Sequence, residues 1–357
     1  MKSAPRAQER GPRKKGAFPD IVKKRIVVNM LLALAGLLCC CLLLEGGIRL
    51  LYPRFANYNL EMWRYIATMK KPTGDPRLPF VHYPNRQGVF YGVPVQTNQF
   101  GFRGPEMETA KPDGVKRILV LGDSLVFGWG VSQEATIPAL LEKRLNAAGG
   151  RCEVVNTGVG NYNSTMEVEL FKKTGLALNP DAVILIFFVN DPEPVPQLNP
   201  LTYAFRQHSY LSAVLFDAYQ RMRTRYDARF TWIDYYSGLY RADAPALQEN
   251  RDALHELVRL CRSKGIALYF VSYPELHQLE DYPLAVATAH IESIARETGT
   301  PFLDLLSHFQ GQDPESMWVS PEDAHGNDKA AALAADAIYQ QFGDALRQDA
   351  VAQTSMP

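Results

Sequence analysis

The sequence predicts an α/β domain, built on a five-stranded parallel sheet with helices on both faces, behind a single N-terminal transmembrane helix. Two patterns carry this prediction: short apolar runs alternate with helical segments from residue 116 onward, and residues 26–44 contain no charged side chain. The 357 residues are 46% hydrophobic and 21% charged, so the chain can bury a sizeable core. Its formal net charge of +0 argues against a dedicated nucleic-acid binder, which usually has a basic domain.

The N-terminal region has the charge pattern of a membrane anchor. Residues 1–25 carry nine Lys and Arg side chains but only two acidic ones, and we predict a basic cytoplasmic tail there. The uncharged run at 26–44 matches, as a helix, a hydrocarbon core of about 30 Å. By the positive-inside rule, the N-terminus stays in the cytoplasm and the chain after residue 44 is exported.

Three other interpretations of the apolar run fit its surroundings less well. A buried core helix would not need nine positive charges in front of it. A cleaved signal peptide usually has a shorter apolar run, of about 7–15 residues, and an A-x-A-like site that is missing here. A lipoprotein signal at Cys39 lacks the small residue that should precede the cysteine, because Leu38 stands there. An uncleaved single-pass anchor is therefore the preferred interpretation.

The rest of the chain divides into a juxtamembrane segment at 45–115, the alternating domain at 116–345 and a C-terminal tail at 346–357. The Gly, Pro and Asn spacing of YGVPVQTNQFGFRGPE predicts a short hairpin or loop in the first of these. Strands are predicted at 117–121, 152–156, 182–189, 266–272 and 301–305, the third being the most apolar and therefore central. Helices are predicted at 135–147, 165–178, 246–263, 283–298 and 328–342. Such repeats imply a parallel sheet with right-handed crossovers.

One segment interrupts the alternation. Residues 192–245 separate the third strand from the next helix and are rich in Tyr, Phe and Trp. Because a structureless loop of this length is unusual inside a compact domain, we predict a partly helical insertion over the carboxyl edge of the sheet. Most of its aromatic side chains are expected to pack against the core. A few are expected to line a substrate groove, since aromatic surfaces suit sugar rings.

The remaining Cys and His residues show no metal-binding spacing, and neither a metal nor a cofactor is predicted. Cys152 and Cys261 are isolated, and the sequence leaves open whether they pair in an oxidising compartment. Six histidines stand outside any polar motif and are expected to be surface or core residues: His82, His208, His255, His277, His290 and His308.

Polar residues follow the predicted strands at their carboxyl ends, where ligands bind in open α/β sheets. GDSLVFGWG, after the first strand, contains Ser124, and Asn190 follows the third strand. Asp323 and His325 stand just before the last helix. Together these are the parts of a nucleophilic serine site: nucleophile, base, orienting carboxylate and oxyanion donor. Each alone has a simpler explanation as a helix cap or a turn, so the prediction depends on their ordered occurrence on successive loops.

These blocks resemble the conserved blocks of the SGNH (GDSL-type) hydrolases over about residues 116–345. The likeness includes GDSLVFGWG, the Asn-x-Gly-x-x-x-Tyr-Asn turn at 156–163, the Asn-Asp pair after the most apolar strand and the late Asp-x-His. TNQFGFRG, ahead of the domain, is similar to membrane-anchored bacterial members linked to exopolysaccharide or envelope acyl-group chemistry. The resemblance implies a three-layer, flavodoxin-like sandwich, the SGNH hydrolase fold.

The resemblance also implies roles for individual residues. Ser124 is the expected nucleophile, and His325 is the expected general base, oriented by Asp323. The expected oxyanion hole combines the backbone N–H of Ser124, a backbone N–H from the second block, which is the turn at 156–163, and the side chain of Asn190.

Two positions depart from the family pattern, and the position of the orienting acid has two candidates. Asn161 stands where the second block usually has glycine; its N–H still serves as a donor because Asn tolerates positive φ, and a one-residue shift would use Gly160 instead. Phe188 replaces a glycine of the third block and is expected to narrow the floor of the pocket. Glu322 is the alternative orienting acid; Asp323 is preferred because a shorter side chain two residues away reaches the ring.

Three functions are compatible with this site. The first is a membrane-anchored, extracytoplasmic serine esterase that removes acyl groups, acetyl in particular, from an envelope glycan or lipid. The second is an exopolysaccharide O-acyltransferase that uses the same triad. The third is a non-catalytic glycan-binding or scaffold module of an export complex, which a Ser124–His325 separation beyond hydrogen-bond reach would indicate.

The expected partners follow from the anchor and the site. They are the bacterial inner membrane, an acylated glycan or lipid substrate, and polysaccharide-export or acyltransfer proteins. The domain is expected in the periplasm or otherwise outside the cytoplasm, and no nucleic-acid partner is expected.

Overall fold

The computed structural model describes residues 20–52, 57–197, 207–226 and 231–348. The chain forms two compact units, residues 1–55 and residues 56–357. Helix α1 (Asp20–Leu51) belongs to the first unit, and its Lys24–Leu51 part, which contains an 18-residue window with a mean hydropathy of 2.7, is long and apolar enough to cross a membrane or to serve as a signal sequence. The predicted basic tail falls outside the described residues up to residue 19.

The second unit contains eleven strands among its described residues, which are β1 (Lys70–Pro72), β2 (Phe80–His82), β3 (Gln87–Phe90), β4 (Val93–Gln96), β5 (Lys116–Leu121), β6 (Cys152–Asn156), β7 (Ala182–Phe187), β8 (Ala267–Ser272), β9 (Phe302–Asp304), β10 (Trp318–Ser320) and β11 (Asp323–Gly326). Its described helices are α2 (Tyr58–Met69), α3 (Ser124–Phe127), α4 (Ile137–Ala147), α5 (Ser164–Lys173), α6 (Tyr210–Tyr226), α7 (Trp232–Leu239), α8 (Pro245–Lys264), α9 (Ala285–Thr298), α10 (Leu306–Phe309) and α11 (Asp328–Arg347).

The main sheet is five-stranded and parallel, with the order β6-β5-β7-β8-β9. This is the flavodoxin-like order: β6, the second strand along the chain, lies on one side of β5, and β7, β8 and β9 follow in turn on its other side. Leu119 of β5 accordingly pairs with Val155 on one side and with Val183 on the other. Every residue of β7 is buried, which confirms the predicted central strand. It ends two residues earlier than expected because the backbone turns there, with Asp191 N–H donating to Phe188 O.

Alternating side chains of these strands face two separate hydrophobic cores, so the domain is a three-layer sandwich. One core packs β5 and β7 against α4 and α11, and the other packs them against α5, α8 and α9. Cys152 lies in the first core and Cys261 in the second, and both are free thiols. The sheet separates the two sulfur atoms, and no disulfide joins them.

The structure of residues 57–104, which we call the preceding segment, was predicted from the sequence only in part. The predicted hairpin is present: β3 and β4 are antiparallel and joined by Tyr91 and Gly92, both at positive φ. Helix α2 was not predicted, although Asn57 caps its N-terminus by accepting from Leu60 N–H. Its stability comes from tertiary packing more than from local signals, because Met62, Tyr65 and Met69 are buried against Phe90, Phe127 and Trp129.

The insertion is partly helical, as predicted, and contributes α6 and α7. Just after α7, the hydroxyl of Tyr240 donates to Val189 O, 2.9 Å away, which places this part of the insertion beside the carboxyl end of β7. Residues 198–206 and 227–230 of the insertion lie outside the described residues.

Candidate active site

Ser124 begins helix α3 directly after β5. Asp123 caps this helix by accepting a 2.9 Å hydrogen bond from Leu125 N–H, so the serine side chain is held at the carboxyl edge of the sheet. Ser124 is 5% exposed, and its Oγ lies 2.8 Å from Nε2 of His325. The two residues are therefore within hydrogen-bond reach.

His325 lies on β11, which pairs with β10 as an antiparallel ribbon that the sequence reading treated as a loop. Its Nδ1 is 2.6 Å from Oδ1 of Asp323. Because an ionised carboxylate only accepts, Nδ1 carries the proton and Nε2 is left to accept from the serine hydroxyl. Glu322, the alternative acid, is exposed, so the carboxylate in contact with the imidazole is that of Asp323.

Asp323 is held ionised by its hydrogen bonds. Burial alone would raise the pKa of this carboxyl, but donation from His325 Nδ1 and backbone N–H holds the pKa below its usual value. The indole Nε1–H of Trp129 contributes as well, donating to Asp323 Oδ2 at 2.9 Å. Trp129 lies in the loop that follows the serine helix, so this hydrogen bond links that loop to the acid.

The second block offers two candidate amides for the oxyanion hole, and their surroundings differ. The N–H of Gly160 donates to the hydroxyl of Tyr65 at 2.9 Å, so it is occupied. Asn161 adopts φ 60°, the left-handed conformation that the sequence reading anticipated, and its N–H has no partner among the described residues. Geometry therefore favours Asn161 over Gly160 as the donor. Asn190 Nδ2 lies 3.2 Å from Oδ2 of Asp123, next to the serine.

Residues of the preceding segment also contact this site, and the sequence did not predict these contacts. The Tyr58 ring stacks on the His325 ring, with centroids 5.4 Å apart. The fully buried Lys70 donates through Nζ to Gly160 O and, at 3.2 Å, to the side-chain oxygen of Asn161. No sequence signal pointed to either residue.

Arg103 is a second buried cation, 2% exposed, from the motif TNQFGFRG. Its guanidinium donates to three backbone oxygens of the loop after the serine helix, those of Phe127, Gly128 and Val131, at 2.7, 2.5 and 2.6 Å. The motif had been singled out by resemblance, and this clamp gives it a physical role.

A pocket of about 230 Å³ opens beside His325. Its lining is largely aromatic and aliphatic, with a few titratable groups: Tyr58, Leu125, Phe188, Tyr236, Tyr273, Pro274, Glu275, Leu276, His277, Glu322, Asp323, Ala324 and His325. Phe188, which replaces a family glycine, forms part of this lining and packs edge-to-face on Tyr273. Tyr236 brings the insertion into the pocket.

The fold and the site define a serine ester hydrolase. A model of the GDSL-like lipase/acylhydrolase family matches residues 120–333, and the chain belongs to that family. No match was found among curated proteins.

Several solved structures are similar to this chain at low sequence identity. The esterase EstA from Pseudoalteromonas sp. is 16% identical, with 65% of this chain and 100% of that chain covered and a TM-score of 0.41. A variant of Axe2, an acetyl-xylooligosaccharide esterase from Geobacillus, is 16% identical, with 64% and 94% covered and a TM-score of 0.43. A lipase/acylhydrolase from Enterococcus faecalis is 12% identical, with 64% and 96% covered and a TM-score of 0.41.

Proposed function

We propose that this protein is a membrane-anchored serine esterase that removes acyl groups, acetyl in particular, from a glycan or lipid of the cell envelope. One observation carries the proposal: Ser124 Oγ lies 2.8 Å from His325 Nε2, and His325 Nδ1 lies 2.6 Å from Asp323 Oδ1, beside an open pocket. The separation that would have indicated a non-catalytic module is absent.

In the proposed reaction His325 takes the proton of Ser124 as the oxygen attacks the ester carbonyl. The charge that develops on the carbonyl oxygen is stabilised by the N–H groups of Ser124 and Asn161 and by Asn190 Nδ2. His325 then gives its proton to the leaving alcohol, and an acyl-serine remains. A water molecule, deprotonated by His325, attacks this acyl group and releases the carboxylic acid and the free serine.

Hydrolysis is favoured over acyl transfer by the exposure of the base. The His325 side chain is 19% exposed, so the imidazole that must deprotonate the attacking water is open to solvent. Transfer to a sugar would need a site that excludes water during the lifetime of the acyl-enzyme. An exopolysaccharide O-acyltransferase therefore remains the second candidate.

The proposed location follows from α1. As an uncleaved anchor it holds the protein in the bacterial inner membrane, with a cytoplasmic N-terminus and a periplasmic or otherwise extracytoplasmic hydrolase domain. There the site meets envelope glycans and lipids, and polysaccharide-export or acyltransfer proteins are candidate partners.

The test uses the full-length protein in detergent with 4-nitrophenyl acetate as substrate. We expect turnover and an acyl-serine adduct by intact mass, both lost in Ser124→Ala. The matched control is Ser263→Ala on the exposed end of α8, which should keep full activity. A folded protein that shows neither turnover nor adduct would contradict the esterase. Faster loss of the adduct on adding oligosaccharides, with acylated sugar as product, would favour the transferase.

A further inference from the structure

A second carboxylate–histidine pair lines the same pocket as His325. In Glu275-Leu276-His277, which follows β8, the Nδ1 of His277 contacts Oε1 of Glu275, and the backbone N–H of His277 donates to Oε2 at 2.9 Å. Asp323 and His325 show the same spacing and the same two contacts. His277 was expected to be an ordinary surface or core residue, and the structure gives it a more specific setting.

The ring of His277 packs against two tryptophan rings. Trp232 of α7 lies 5.1 Å away with an interplanar angle of 30°, and Trp318 of β10 lies 5.0 Å away. Glu275 is only 6% exposed, and its hydrogen bond to Nδ1 raises the pKa of His277. Because Nδ1 is committed to the carboxylate, ligand binding falls to Nε2, which has no partner among the described residues.

The chemistry of the reaction decides which part of a substrate enters this pocket. His325 must deliver its proton to the leaving oxygen, so the alcohol part of the ester lies on the His325 side of the serine. The pocket occupies that side, since Asp323, Ala324 and His325 are among its lining residues. A volume of about 230 Å³ is at the small end for ligand pockets and suits one ring rather than a long chain.

The lining also indicates what kind of alcohol fits. Tyr58 and Tyr236 supply flat apolar surfaces, while Glu275, His277 and Glu322 supply polar groups. A lipid chain would remove water from these polar groups without replacing its hydrogen bonds, which costs free energy. A sugar ring has apolar faces that can pack on the aromatic rings and hydroxyl groups that can form hydrogen bonds with the polar side chains.

We propose that the Glu275–His277 pair forms the subsite for the alcohol part of the ester and that its ligand is a glycosyl residue, with one hydroxyl hydrogen-bonded to Nε2 of His277. Trp232 and Trp318 fix the imidazole plane, and Glu275 fixes its tautomer. This inference rests on the proposed esterase function and names the substrate class of that site.

The test compares two substrates in the full-length protein in detergent: 4-nitrophenyl acetate, and methyl glycosides of glucose, galactose, mannose and xylose that carry one O-acetyl group. The variant is His277→Phe, which keeps a flat ring beside the two tryptophans and removes Nε2. We expect the ratio of kcat/KM for the best sugar ester over the aryl ester to fall about tenfold, mainly through KM, as loss of one hydrogen bond implies.

The matched control is His255→Phe. His255 lies 3.7 Å from Glu297 and is absent from the pocket lining, so it is a histidine–carboxylate pair outside the site, and its removal should leave the ratio unchanged.

A second readout does not depend on turnover. In the Ser124→Ala protein, the same acetylated glycosides should change the tryptophan fluorescence as they bind beside Trp232 and Trp318, and His277→Phe should weaken that binding about tenfold.

The outcomes separate this inference from the esterase itself. If the aryl ester is cleaved but no sugar ester is, or if His277→Phe leaves the ratio unchanged, the glycosyl subsite is wrong and the esterase stands. If neither substrate is cleaved and no acyl-serine forms, the proposed function fails and the subsite fails with it.

Discussion

Two regions of the molecule build one site in different ways. The hydrolase domain, residues 116–345, supplies every group that is proposed to touch the reacting atoms or to orient the base: Ser124, Asn161, Asn190, Asp323 and His325. The preceding segment supplies none of them, yet Tyr58, Lys70 and Arg103 contact the base, the oxyanion turn and the serine loop. Chemistry and positioning are therefore encoded in separate stretches of this chain: the motif that contains the nucleophile lies in the first, and TNQFGFRG, which contains Arg103, lies in the second.

A directed chain of hydrogen bonds links the two regions. Gly160 N–H donates to the oxygen of Tyr65, whose hydroxyl contacts Nε2 of His82. His82 Nδ1 lies 3.0 Å from Gly101 O, and because a carbonyl only accepts, this nitrogen carries the ring proton. The neutral imidazole therefore accepts from Tyr65, and the oxyanion turn is fixed to the TNQFGFRG loop.

The largest expected effect comes from the hydrolase domain. Asn190→Ala removes one proposed oxyanion donor and should lower kcat by about 10²–10³. The thermal midpoint should change little, because the side chain of Asn190 makes one long hydrogen bond within the described part of the chain, of 3.2 Å, to Asp123. Parallel kinetics and thermal melts check both points; a variant that unfolds instead would identify Asn190 as a structural turn residue.

The next effect should fall on stability. Arg103→Met leaves three backbone oxygens of the serine loop without their buried donor, and should lower the free energy of unfolding by about 3 kcal/mol. Denaturant unfolding measures this loss, with Arg86→Met as a control, since Arg86 donates at the surface to a single carbonyl. Equal stability of the two variants would mean that the Arg103 clamp adds nothing.

A smaller effect should separate positioning from stability. Lys70→Met keeps the apolar stem but removes the ammonium that holds Gly160 O and the Asn161 side chain, so kcat should fall about tenfold. The thermal midpoint should not fall, because burial alone lowers the pKa of Lys70 well below its usual value, and methionine avoids that cost.

Lys71→Met, on the neighbouring and less buried position of β1, is the matched control. If Lys70→Met lowered the melting temperature and left kcat intact, the preceding segment would be a structural support only.

The smallest effect concerns pH. Burial, followed by the nearby charge of Lys70, lowers the pKa of His82 to about 3, below the value of about 6.5 in an unfolded chain. Between these values the unfolded state binds a proton that the folded state does not, so stability present above pH 6.5 is lost as the pH falls towards 3.

Replacing His82 by a residue that does not titrate should make the free energy of unfolding depend less steeply on pH in the acidic range. In His82→Gln the dependence of unfolding free energy on pH between 6 and 4 should shrink by about 1 kcal/mol per pH unit. The matched control is His308→Gln, at an exposed histidine. An unchanged slope in His82→Gln would mean that His82 is protonated in the folded protein.

Much of the fold could be predicted because its signals are local. The five strands of the sheet begin and end within about two residues of the apolar runs that predicted them, since continuous burial needs a continuous apolar sequence. Helix α2 was missed for the opposite reason. Its apolar residues, such as Tyr65 and Met69, face a core formed by residues far along the chain, and no capping signal outweighed the surrounding turn residues.

The fold class, the order of the polar blocks and the residues proposed to react could be predicted from the sequence alone, because each corresponds to a pattern of neighbouring residues. The tertiary structure shows which groups the Gly160 N–H, Asp323, Lys70 and His277 contact. Several of those contacts join residues that are far apart in the chain, by 90 residues for Lys70 and Gly160 and by 201 for Ser124 and His325. No local pattern specifies such contacts, because they exist only once the packed sheet brings distant loops to one edge.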